Sequence, residues 1–156
     1  MKKQEGAIKF EKLKVDEMTE EFFSDSAMVG IVCALPAYHL CWLINKEYDM
    51  SFRCVPEMTL EFRNGDGISH FAVYQYMVPG DNHEYLLYKV KNDSTFLLPR
   101  QKGSWLNNID YLFLLKTANP EKDAGEFAAQ LKNLEGISLS RPVESDLLRH
   151  IENLLV

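Results

Sequence analysis

The stretch NIDYLFLLKT, residues 108–117, is apolar on both parities, with Ile109, Tyr111, Phe113 and Leu115 on one side and Leu112 and Leu114 on the other. At the period of two that a strand imposes, both faces need cover, which places this strand in the centre of a sheet or under a helix. The chain must supply that cover itself. With 156 residues, 46% of them hydrophobic, it is long enough for one ordinary core, and no Gly-, Pro- or Ser-rich linker divides it, so residues 1–156 are expected to form a single globular domain.

The remaining patterns supply the layers. KFEKLKV (9–15) alternates weakly as a first strand, DEMTEEFFSDS after it is ambiguous, and AMVGIVCAL (27–35) is a short apolar run taken as a strand because Pro36 then opens a helix over 36–48. From Ser51 to Leu98 the period is two, broken at Pro56 and turned at NGDG, PGDN and KNDS, which predicts a meander with ISHFAVYQYMV as one of its strands. Asn119, Pro120 and the apolar series Ala124, Phe127, Ala128, Leu131 mark a helix that stops at Gly136. ISLSRPV follows as a strand, and Ser145 is expected to cap a short helix burying Leu147, Ile151, Leu154 and Leu155. These elements predict an α+β fold: a mainly antiparallel sheet, with a meander of four to six strands, and two or three helices. Its outer units resemble the split βαβ units of ferredoxin-like and ACT-like folds.

Charge and cysteine usage narrow the function classes. A net charge of -6, spread rather than blocked, argues against nucleic acid or an anionic membrane as partner, because both need clustered Lys and Arg. Lys89, Lys91, Arg100 and Lys102 form a local basic run that reads as a solvated face. There is no apolar run of membrane-spanning length and no apolar signal region. The three cysteines, without a CxxC, fit a reducing cytoplasm rather than a disulfide framework.

The densest chemistry is in AYHLCWLINK, residues 37–46. On a helix, with Tyr38 at zero, Trp42 falls at about 40°, Asn45 at about 340° and Cys41 at about 300°, one stripe expected to face the sheet. His39 falls at about 100°, on the polar side, too far around the axis to activate Cys41 as a nucleophile. Cys33, His39, Cys41 and Cys54 have no zinc-ligand spacing, and no HExxH, phosphate loop or nucleophile elbow is present, so neither a metal nor a cofactor is expected. Phe71, Tyr74, Tyr76, Tyr85 and Tyr88 either pair across strands or form an open stacking face. Asp110 begins a strand buried on both sides and needs hydrogen-bond donors, for which Asn45, Tyr38, Tyr111 and Arg53 are the candidates.

At these residues the chain resembles the IPExxxVDY family of bacterial proteins. The likeness runs through Gly30-Ile31, YHLCWLINK at 38–46, YLLYKVKND at 85–93, LLP at 97–99, IDYLFLL at 109–115 and the closing ENLLV. Tyr38, Cys41, Trp42 and Asn45 match its Y-x-L-C-W-x-x-N stretch, and Ile109, Asp110 and Tyr111 match its VDY. Arg100 stands where the signature has Glu, and Asp110 follows Pro99 by eleven positions rather than six. An insertion there, QKGSW, implies a packing motif rather than an active site, and the resemblance brings no activity, substrate or cofactor with it.

The expected function is a non-enzymatic cytoplasmic module that binds a protein partner or itself, or regulates one. Its contact regions would be the strands around Pro56 and the RQKGSW loop with an exposed Trp105. The alternative is an ACT-like small-ligand domain with a polar site near Asn45 and Asp110; an enzyme is the third reading. The candidate binding residues are Tyr38, Asn45, Arg53, Trp105, Asp110 and Tyr111.

Overall fold

The structure is a computed structural model and describes residues 14–65, 67–92 and 95–156. The first strand expected at 9–15 falls mostly outside that set, and its last residues, Lys14 and Val15, lie in a helix, α1, described over 14–23. The turn expected at 91–94 includes Asp93 and Ser94, also outside it.

The apolar run after α1 is strand β1 (Ser26–Cys33), and Pro36 stands at the N-cap of helix α2 (Ala37–Tyr48). Strands β2 (Arg53–Cys54), β3 (Leu60–Asn64), β4 (Gly67–Phe71), β5 (Val73–Met77) and β6 (Glu84–Lys89) follow. After the short β7 (Lys91–Asn92) and β8 (Thr95–Phe96) come β9 (Tyr111–Lys116), helix α3 (Pro120–Leu131) and β10 (Ile137–Val143). The main sheet has six strands in the order β10-β1-β9-β6-β5-β2, and every neighbouring pair is antiparallel.

That order has a direct topological consequence. β1 and β6 run parallel with β9 between them, joined through α2; β9 and β10 run parallel with β1 between them, joined through α3. The β10-β1-β9-β6 core is therefore two interleaved split βαβ units, the ferredoxin-like arrangement. The segment between α2 and β6 widens it with β5 and β2 and adds a separate β3–β4 hairpin.

The double-sided burial of β9 is explained by what covers it. On one face Tyr111, Phe113 and Leu115 pack with Val29, Ile31 and Leu87 beneath α2 and α3. On the other, Leu112 and Leu114 pack with Met28, Leu86 and Tyr88 beneath the hairpin, the 97–109 segment and the C-terminal residues Leu148 and Leu154. Ile109, expected with Tyr111, belongs to this second core, because it precedes the strand and does not follow its alternation.

Several boundaries differ from the sequence patterns. ISHFAVYQYMV splits at Ala72 into β4 and β5, which belong to different sheets; Phe71 and Val73 are both fully buried, so the chain leaves the main sheet to lay the hairpin across the second face. TFLL adds no strand to the main sheet; its Phe96 lies in β8, which pairs only with β7. At the C-terminus two 3-10 turns replace the expected helix, and Leu148 is buried while Leu147 is 48% exposed. The aromatics considered as a stacking face lie in or against the two cores. Phe71 and Tyr88 are fully buried. Tyr76 and Tyr85 join Phe52, Phe113 and Phe127 in one aromatic cluster under the helices, tilted at Tyr76 and edge-to-face elsewhere, with Phe113 and Phe127 centred 5.0 Å apart at 90°.

Candidate functional site

Helix α2 is oriented by its aliphatic residues. Ala37, Leu40, Cys41 and Ile44 are buried, and at about 100° per residue they occupy a single arc. Tyr38 and Trp42 fall roughly opposite its start, about 160° and 200° from Leu40. They are accordingly 74% and 55% exposed, not turned to the sheet as the sequence stripe predicts. His39 is half-buried beside Trp42, with ring centroids 6.2 Å apart, and Lys46 places Nζ 5.0 Å over the indole. Cys41 does face the core, where burial and then Cys54 push its thiol up to about 12. Such a thiol stays protonated at neutral pH and is no nucleophile.

Asn45 and Asp110 do not meet. Asn45 spends both ends of its amide on one backbone residue: Nδ2 donates to Phe52 O at 3.1 Å, and Phe52 N–H donates to Oδ1 at 2.8 Å. It thereby ties the exit of α2 to the approach to β2. Asp110 works at the opposite end, about 12 Å away along the helix axis, where Oδ2 accepts from Cys33 N–H at 2.9 Å. None of the four expected donors serves it. Arg53 is exposed on β2, three strands from β9, or about 14 Å.

Tyr111, next in sequence, donates its hydroxyl to Leu35 O at 2.6 Å. The Asp110-Tyr111 pair thus holds both sides of the β1–α2 turn, satisfying an N–H and a carbonyl that the end of β1 would otherwise leave open. Burial, Cys33 and Asp110 together raise Tyr111, so it remains a hydroxyl donor. Beside this turn lies a cleft of about 280 Å³ walled by Cys33 to Pro36, Lys89, Lys91, Asp110 and Tyr111.

Trp105 is half-buried rather than exposed, and packs in the second core. A Cβ on Gly30 would come within 3.1 Å of its Cη2, so the glycine provides the seat for the indole, and Arg141 covers the ring at 4.8 Å. The surrounding loop is fastened: Gln101 N–H donates to Asn107 Oδ1 at 2.8 Å, and Gln101 Nε2 donates to Leu147 O at 2.9 Å.

Sequence reasoning missed the outward setting of Trp42 and the convergence of Lys89 and Lys91 on the β1–α2 turn. The first was readable from the aliphatic arc of α2; the second depends on the register that sets Lys89 opposite Tyr111, for which the chain has no local signal. Among the described residues no group of three His, Cys, Asp or Glu side chains converges to hold a metal ion, and no helix is long and apolar enough to cross a membrane. No protein-family model, no curated protein and no solved structure matches the chain.

Proposed function

We propose that this protein is a non-enzymatic interaction module, and that it meets a protein partner through the outer face of α2. The carrying observation is that Tyr38 and Trp42 stand side by side in solvent on a helix whose inner face is already filled. Large exposed aromatics are the side chains that most often anchor protein interfaces, and neighbours at i and i+4 present a compact ridge. The partner that suits this ridge offers an apolar slot for two rings. A cytoplasmic setting accords with three free cysteines, two of them buried.

Membership of the IPExxxVDY family is part of the same proposal. It is supported by the structural tasks of the shared residues: Cys41 fills the core, Asn45 fastens a loop, and Asp110 and Tyr111 hold a turn. Tyr38 and Trp42 have no such task.

The test is site-specific photo-cross-linking in cells expressing the full chain, with benzoylphenylalanine replacing Lys46 on the outer face of α2 or Glu126 on the exposed side of α3. A discrete protein adduct from position 46 and none from position 126 supports the proposal, and an adduct of twice the chain's mass names a second copy as the partner. Equal labelling from both positions, or none from either, sets it aside.

A further inference from the structure

The cleft at the β1–α2 turn lies apart from the outer face of α2 and has a chemistry of its own. Lys89 ends β6 opposite Tyr111, and Lys91 follows in β7 with its Nζ 5.7 Å from the Phe96 ring centroid. Neither lysine forms an ion pair among the described residues. The third charged group, Asp110, commits Oδ2 to Cys33 N–H, while Oδ1 makes no hydrogen bond there. Pro36 gives α2 no side-chain cap, and its first turn carries no acid, so the N–H groups of Ala37 and Tyr38 have no intrahelical acceptor. Two cations thus outweigh one anion around a concavity of about 280 Å³. That volume lies just below the roughly 300–1,000 Å³ of pockets for drug-sized ligands, which suits a solute smaller than a nucleotide.

We propose that this cleft binds a small carboxylate- or phosphate-bearing solute, its anionic group held by Lys89 and Lys91 and a hydroxyl or amine of the same solute donating to Asp110. The lysines supply charge-assisted hydrogen bonds to the anion. Asp110 keeps its staple to Cys33 while its second oxygen selects for a donor, so a bare anion is the poorer ligand.

The experiment titrates the uniformly 15N-labelled full chain with inorganic phosphate, acetate and glycolate while amide shifts are followed. Saturable shifts at Ala37, Tyr38 and Cys33 are expected, with glycolate binding more tightly than acetate. The stronger of phosphate and glycolate names the anionic group. The double variant Lys89→Met/Lys91→Met should weaken binding at least about tenfold, whereas Lys89→Arg/Lys91→Arg, which keeps the charges, should retain it. Shifts that do not saturate, that persist unchanged in the Met variant, or that favour acetate equally would overturn the proposal. If the Met variant fails to fold, loss of binding by the folded Arg variant, or insensitivity of the wild-type shifts to added sodium chloride, overturns it as well.

Discussion

Tyr38 and Trp42 stand one helical turn apart on the outer face of α2, 74% and 55% exposed, while Leu40 and Ile44 from the same helix are wholly buried. The two aromatic side chains lie largely outside the core, so replacing them is expected to leave the fold intact. Tyr38→Ser/Trp42→Ser is expected to change unfolding free energy by only about 0.5 kcal/mol per site, against about 2–5 kcal/mol for Leu40→Ala. Urea denaturation of the three proteins checks this, and a loss of several kcal/mol in the double variant would show that the rings are structural.

Gly30 and Trp105 form a matched pair across the second core. Adding a methyl at Gly30 meets Trp105 Cη2 and Val143 Cγ2 at 3.1 Å and Ile109 Cγ2 at 3.2 Å. Gly30→Ala should therefore cost about 1–3 kcal/mol by overpacking. Combining it with Trp105→Leu should return part of that loss relative to the sum of the single changes, which a double-mutant cycle by thermal or urea unfolding would measure.

The Asp110 staple needs an acceptor rather than a charge. Asp110→Ala leaves Cys33 N–H without its 2.9 Å partner and should cost about 1–3 kcal/mol. Asp110→Asn retains a carbonyl oxygen and should recover most of it. Equal losses in the two variants, measured by denaturant unfolding, would show that the carboxylate acts through its charge.

Alkali should weaken the fold. Burial, with Cys54 adding to it, lifts the Cys41 thiol from 9.0 to about 12, and burial raises Tyr88 and Tyr111 in the same direction. Above the unfolded value the open chain sheds a proton that the folded chain retains, so stability is full below about pH 9 and declines as pH rises towards about 12. Urea midpoints across that range should fall, and Cys41→Ala should flatten the decline; a midpoint insensitive to pH would contradict it.

How much of this was legible in the sequence depended on whether local pattern or long-range competition decided the outcome. β9 announced its central place because Leu112 and Leu114 alternate with Phe113 and Leu115, and α3 announced itself through Pro120 and the Ala124-Phe127-Ala128-Leu131 series. The departure of β4 from the main sheet was not readable, since period two is the same on either side of Ala72 and only the need to cover the second face divides the strand. On α2 the stripe expected inward was Tyr38, Cys41, Trp42 and Asn45, but the buried arc is Ala37, Leu40, Cys41 and Ile44, because the aliphatic side chains and not the two large aromatics fill the space over the sheet. Asp110 was rightly singled out as a group needing donors, but its partner is the backbone of Cys33, which no side-chain inventory can reveal. Trp105 was expected in solvent on the RQKGSW loop, but Gly30 leaves room for its indole in the second core, a fit between distant residues that has no local signal.

The proposed meeting of this protein with its partner at the outer face of α2 is open to a decisive check: repeating the position-46 cross-link in the Tyr38→Ser/Trp42→Ser background. The ridge is expected to carry the contact, so the adduct should disappear although the variant stays folded and loses only about 0.5 kcal/mol per site. An adduct of undiminished yield in the folded double variant would contradict the claim.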